Sequence, residues 1–176
     1  MLTLIIGPMF AGKTCTLLNY ERRFNITKTP YIIITHKSDD RYSEHNLTSH
    51  DGNNSLKNII TTENLCDIND ELFNLVTGII IDEGQFFNDL ENFCQTLLIL
   101  NKNIIVAGLS GDYKQEPFQN ILNLIPKADK IIHLTSICSL CGKDAAFTKR
   151  VIKSNERILV GSNESYQPTC NKCLNL

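Results

Sequence analysis

Three groups of residues in this chain have types and spacings suited to chemistry. The first is Gly7-Pro8-Met9-Phe10-Ala11-Gly12-Lys13-Thr14. Two glycines separated by four residues and followed at once by a lysine and a hydroxyl residue fit a phosphate-binding turn, the Walker A spacing. A polyphosphate needs several donors converging on one small volume. Glycines let the backbone curl so that its N–H groups point inward, and the start of the following helix adds positive potential. Lys13 can reach the outer phosphates, and the Thr14 hydroxyl can ligate Mg²⁺. A chance match at these positions arises in roughly one chain of this length in a hundred or fewer.

The second group is Asp82-Glu83, at the end of the apolar run Gly78–Ile81. A hydrophobic strand ending in Asp is the usual second half of a phosphate-turn site, where the carboxylate supports Mg²⁺, so Asp82 is the candidate for that task. Neighbouring side chains on a strand point to opposite faces, so the pair need not share one role. Glu83 can take a proton from an acceptor hydroxyl, orient a hydrolytic water, or cap the helix that follows. The pattern by itself does not choose among these.

The third group is two Cys-x-x-Cys pairs, Cys138/Cys141 and Cys170/Cys173. Four thiolates close a tetrahedral zinc site with no open position, which makes such a site structural. The metal would pinch off residues 142–169, a segment with little apolar content to hold it otherwise. Seven cysteines in all, an odd number, argue against a simple disulfide framework and for a reducing compartment. Neither pair is expected to open a helix after a strand, as a redox site of the thioredoxin kind would. Cys15, Cys66 and Cys94 stand alone and are expected to be small buried hydrophobes.

The elements that must position these groups are legible in outline. Residues 2–6, 31–35, 78–81, 103–109 and 130–134 are β-branched, nearly continuous apolar runs, as expected for strands covered on both faces. Between them, Leu17, Tyr20 and Phe24 recur at helical spacing, as do Phe86, Leu90, Phe93, Leu97 and Leu100. This alternation predicts an α/β fold with a parallel sheet covered by helices over residues 1–135. The polar stretch 37–62 lacks periodicity and is expected to be mostly a long functional loop. Residues 136–176 form a second, small zinc-bound part whose only strand-like run is 157–160. A net charge of −2 leaves no cationic field for nucleic acid or an anionic membrane, so anion binding must be local. The apolar runs are too short to span a bilayer. The first strand starts near Leu2, so no leader segment is expected.

With these motifs in place, the chain resembles the type II thymidine kinases, the zinc-containing family of cells and poxviruses. The resemblance covers essentially the whole chain and runs through GPMFAGKT, DDRY, DEGQFF, GLSGDYKQEPF, ILNLIP, CSLCGKDAAFTKR and the paired cysteines. It implies a P-loop α/β domain and a small C-terminal lasso, bound by one structural Zn²⁺, that closes over the nucleoside. It implies transfer of the ATP γ-phosphoryl to the 5′-hydroxyl of thymidine, with Mg²⁺. Glu83 becomes the general base, and Gly7 to Thr14 the ATP-binding turn. Asp82, Asp39 and Arg41 match positions near the metal and the transferring phosphate. Met9, Phe86, Leu109, Tyr113, Phe118 and Thr148 match the thymine pocket, and Leu159, Gly161 and Tyr166 match the lasso. A homotetramer, feedback inhibition by dTTP and a cytoplasmic location, the host's if the source is viral, are further implications.

The chain departs from the family pattern in two places. Tyr113 stands where a phenylalanine is common, and around it Asp112 and Glu116 replace less acidic residues. Before Gly161, the run Glu156-Arg157-Ile158-Leu159-Val160 replaces the usual alternating valines. The competing reading is a P-loop ATPase that grips nucleic acid through its zinc ribbon. Lys143, Lys149, Arg150 and Lys153 are too few and too mixed with acids to favour that, and no direct nucleic-acid binding is expected.

Overall fold

A computed structural model describes residues 1–39, 59–154, 157 and 164–175. Strands β1 (Leu2–Gly7), β2 (Tyr31–His36), β3 (Ile59–Thr62), β4 (Gly78–Ile81), β5 (Asn103–Leu109) and β6 (Lys130–His133) form one sheet. Its six strands run in the order β3-β2-β4-β5-β1-β6, every neighbouring pair parallel. Among the described residues the α-helices are α1 (Lys13–Ile26), α2 (Glu71–Leu75), α3 (Leu90–Ile99), α4 (Gln119–Leu122) and α5 (Asn171–Leu174). None of the described helices is long and apolar enough to cross a membrane.

The register explains why the strands read as unbroken apolar runs. Leu4, Val106, Ile81 and Ile34 lie in one row across β1, β5, β4 and β2, and all are fully buried. They belong to a cluster with Leu90, Cys94 and Leu97 of α3. The alternate residues Ile5, Ile105, Ile80 and Ile33 join Leu17 and Phe24 of α1 in a separate cluster. Each strand residue therefore meets a helix whichever way it points, and each buried aliphatic stabilises the fold by about 1.5–3 kcal/mol. Because all the strands are parallel, their C-terminal ends share one edge. That edge carries Gly7, His36, Leu109 and the residues that follow Ile81, which is where open α/β sheets bind ligands.

Four sequence-based expectations need correction. The stretch 37–62, expected to be mostly loop, ends in a strand that was not foreseen: β3 pairs with β2 at the sheet edge, where two isoleucines and two threonines suffice, while residues 40–58 lie outside the described residues. The helical pattern over 86–100 is longer than the helix it produces. Phe86 belongs to a separate 3₁₀ turn, Gly84–Phe86, and Leu100 is half exposed beyond the end of α3. Among its described residues the C-terminal part has four short strands not foreseen in the sequence, whereas 158–160 of the expected run 157–160 lie outside them: β7 (Ser136–Ile137) pairs with β8 (Asp144–Ala145), and β9 (Phe147–Arg150) with β10 (Tyr166–Thr169), both antiparallel. Finally, the cysteines differ from expectation: Cys94 is buried as expected, but Cys15 and Cys66 are exposed, and Cys170-x-x-Cys173 does open a short helix, α5, directly after a strand, β10.

Candidate active site

The turn after β1 is shaped by its backbone. Phe10 and Gly12 both take positive φ, 64° and 79°. Left-handed residues in a tight turn gather successive N–H groups into an anion-binding concavity, which here opens onto the start of α1. Gly7 is needed for another reason, since a Cβ there would lie 2.6 Å from the carbonyl oxygen of Leu134. Lys13 is buried and reaches back over the turn to donate to the Pro8 carbonyl at 2.8 Å. The Thr14 hydroxyl donates to Asp82 Oδ2 at 2.9 Å, joining the turn to the end of β4.

At that end, the alternation expected of a strand no longer holds. Glu83 lies beyond β4 with φ 51° and ψ 42°, a left-handed conformation that costs a non-glycine residue about 1–2 kcal/mol. Asp82 holds this turn: its Oδ1 accepts the Glu83 N–H at 2.9 Å while its Oδ2 serves Thr14. The turn brings neighbouring carboxylates together where a strand would part them. Oxygens of Asp39, Asp82 and Glu83 all lie within 4.8 Å of one another. Three carboxylates this close repel one another, and a hard dication with oxygen preference, such as Mg²⁺, could be held there.

Sequence reasoning missed the side chains that support this group. Gln85, almost fully buried, donates from Nε2 to Glu83 Oε2 at 2.5 Å and accepts the Leu109 N–H at Oε1, 3.0 Å. It therefore ties Glu83 to the end of β5. Asn120 Nδ2 lies 2.8–3.1 Å from the carbonyls of Gly84, Gln85 and Phe87, holding the 3₁₀ turn from the α4 side. His36 packs on Phe86 and edge-on to Phe87, with ring centroids 5.4 and 5.0 Å apart. Burial pushes its pKa below the ordinary value, outweighing Glu63 and Asp39, and Nδ1 accepts the Ser38 N–H at 3.1 Å. The turn leading to Asp39 is thus anchored by a neutral imidazole.

The C-terminal part sits against this site. The Met9 N–H, inside the phosphate turn, donates to Thr148 Oγ1 at 3.0 Å, and the Ser136 hydroxyl donates to the Phe10 carbonyl at 3.0 Å. The Arg150 guanidinium lies 3.8 Å from the Tyr113 ring centroid and donates to the Tyr166 hydroxyl at 2.6 Å. Arg157 lies 5.1 Å from the Phe118 ring centroid. Among the residues matched to the thymine pocket, Met9 and Thr148 are thus joined directly, and Tyr113 is linked through Arg150 to Tyr166, which matches the lasso. Leu109 is fixed by Gln85, and Phe86 stands beside His36. Arg41, Leu159 and Gly161 lie outside the described residues. Neither arginine had a signal in periodicity or spacing. Arg157, however, is one of the departures noted in the sequence, and it contacts another, Asp112, at 2.9 Å.

The Sγ atoms of Cys138, Cys141, Cys170 and Cys173 all lie within 4.8 Å of one another, with Cys141 and Cys170 3.6 Å apart. Tetrahedral Zn²⁺ with Zn–S near 2.3 Å places its sulfurs about 3.8 Å apart, so the cluster could bind a structural zinc. Backbone donors, the Cys170 N–H first, draw the Cys138 thiol down to about 6. The Cys173 thiol is pushed up to about 12, chiefly by its hydrogen bond with Cys141. Thiols this close cannot all ionise unless a cation sits among them.

Comparison with known proteins decides the family. A family model described as thymidine kinase matches residues 1–174. The chain belongs to the thymidine kinase family. A thymidine kinase of Amsacta moorei entomopoxvirus is 43% identical over 179 residues, covering 98% of this chain and 96% of its own. Those of monkeypox virus and vaccinia virus (strain Ankara) are 41% and 40% identical over 170 residues, covering 97% of this chain and 94% of theirs. The membership makes the chain a phosphotransferase, in agreement with the resemblance drawn from its motifs.

Proposed function

We propose that this chain transfers the γ-phosphoryl group of ATP to the 5′-hydroxyl of thymidine, giving dTMP and ADP. The turn from Gly7 to Thr14 binds the triphosphate, with Lys13 on its outer phosphates. Thr14, Asp82 and Asp39 hold Mg²⁺, and Arg41 offsets charge on the transferring group. When bound, the magnesium neutralises phosphate oxygens and helps align donor and acceptor. Glu83 accepts the proton of the 5′-hydroxyl as that oxygen bonds to the γ-phosphorus and the bond to the ADP oxygen breaks. Gln85 aims the Glu83 carboxylate.

Residues 1–135 act as the nucleotide-binding domain and 136–176 as the zinc-bound lasso domain. Met9, Phe86, Leu109, Tyr113, Phe118 and Thr148 enclose the base, with Leu159, Gly161 and Tyr166 of the lasso. A wrong base would leave buried polar groups unpaired, which discriminates strongly. The zinc fixes the ends of the lasso and so acts on specificity without touching substrate. A homotetramer, inhibition by dTTP and a cytoplasmic location complete the reading.

The observation that carries it is the hydrogen bond from the Met9 N–H to Thr148 Oγ1, because it seats the cysteine-held part on the phosphate turn itself. The test is Glu83→Gln. We expect kcat to fall by roughly 10²–10⁴ with ATP affinity by calorimetry unchanged. Full turnover in that variant would remove Glu83 from the mechanism. ATP consumption by the unaltered protein that rises with single-stranded DNA and ignores thymidine would overturn the kinase reading.

A further inference from the structure

The turn 112–118 contains a carboxylate whose partner comes from the far side of the site. The Asp112 side chain is only 2% exposed. A buried carboxylate is costly unless its oxygens are bonded. Its Oδ1 accepts the N–H groups of Lys114 and Glu116, both at 2.9 Å, and its own N–H donates to the Glu116 carbonyl. These bonds already close the turn. Its Oδ2 accepts from Arg157 Nε at 2.9 Å.

The same guanidinium donates from Nη2 to the Pro117 carbonyl at 2.8 Å and lies against Phe118. The main-chain carbonyl of Arg157 in turn accepts from Arg150 Nη2 at 3.1 Å, and Arg150 covers Tyr113. One guanidinium therefore grips three points of the turn, while a second, bonded to the main chain of Arg157, covers the residue next to Asp112. Arg157 is half exposed, so solvent discounts what the ion pair adds to global stability, although Asp112 is buried. What it fixes is the position of two aromatic side chains relative to the C-terminal part.

We infer that Asp112 and Arg157 form a latch that positions Tyr113 and Phe118 and thereby sets the affinity for the acceptor nucleoside, leaving the donor site untouched. Both are positioning residues, since they act through the aromatic walls. The inference rests on the proposed reading of Tyr113 and Phe118 as pocket residues.

The experiment is steady-state kinetics of the full chain and of Arg157→Leu, Arg157→Lys, Asp112→Asn and the double variant Asp112→Asn/Arg157→Leu, varying thymidine and ATP in turn. Arg157→Leu should raise the thymidine KM about five-fold, with the ATP KM unchanged and kcat changed by less than about two-fold. Arg157→Lys, which keeps the charge but cannot grip Asp112 and Pro117 together, should recover part of the loss. Asp112→Asn should add nothing once Arg157 is leucine, because the two act as one unit. Salt near 0.5 M should narrow the difference between the unaltered chain and Arg157→Leu. A thymidine KM unmoved in Arg157→Leu, equal shifts in both KM values, or additive effects in the double variant would overturn the latch while leaving the kinase reading intact. Arg157 lies on the exposed side of the pair, so its variants keep the test decisive even if Asp112→Asn unfolds its turn. An unaltered chain that does not phosphorylate thymidine would overturn both.

Discussion

The two parts of this molecule hold their functional side chains by different physics. Around the sheet, aliphatic side chains on both faces fix the phosphate turn and Asp82 by packing, with Leu4, Ile34, Ile81 and Val106 fully buried in one row. In the C-terminal part, the buried cluster consists of Cys138, Ala145 and Cys173, with Cys170 packed against it. Apart from one alanine, that apolar cluster is made of cysteines that could bind a structural zinc. The difference teaches that a thiolate cluster can do for a short segment what a hydrophobic core does for a sheet. It also means that the two parts should fail separately.

The sharpest way to break the comparison is to remove the metal. Structural zinc contributes on the order of 10 kcal/mol in small peptides at neutral pH, so chelation, or Cys170→Ser, should abolish thymidine phosphorylation and expose the C-terminal part to proteolysis. The sheet should keep its cooperative melting transition. Thiol labelling gives a residue-level version of this test. Cys15 and Cys66 should react in the native protein, the four clustered cysteines only after chelation, and Cys94 only on unfolding. Burial both hides the Cys94 thiol and pushes its pKa up to about 12. Loss of the sheet's transition together with the zinc would refute the separation.

A smaller effect is expected where the sheet part relies on polar contacts. Asn120→Ala would strip three carbonyls of their side-chain donor and should cost about 1–3 kcal/mol in denaturant unfolding. It should also lower kcat, because Gln85 and Glu83 lose their backing; an unchanged kcat would limit Asn120 to stability. The smallest effect is expected at Gly12. A Cβ there meets nothing within 4 Å, so only its φ of +79° opposes substitution. Gly12→Ala should therefore cost about 1 kcal/mol, seen as a drop of a few degrees in Tm.

Much of the sheet was legible because strands covered on both faces leave an unbroken apolar record, and the phosphate turn because its glycines are a geometric necessity. The cysteine pairs announced themselves by spacing. β3 was lost because an edge strand needs apolar residues on little more than one side, and two isoleucines within a polar stretch carry too weak a pattern. β7 to β10 were lost because they are short, pair with each other and lie beside a thiol cluster, with little hydrophobic burial to leave a pattern. In the site, Asp82 and Glu83 could be named, but their convergence could not. It depends on one backbone conformation that strand alternation argues against. Gln85 and Asn120 were invisible for a related reason: a buried amide is recognised by what it bonds, and no period or composition records that.

The left-handed backbone at Glu83 carries a consequence for anyone engineering this protein. A glycine at 83 would adopt that conformation without strain, so a search guided by thermostability alone would be drawn to replace the very side chain assigned to proton removal. Position 83 is where robustness and turnover pull against each other, and a hardened variant selected without an activity screen would be expected to survive heat and do nothing.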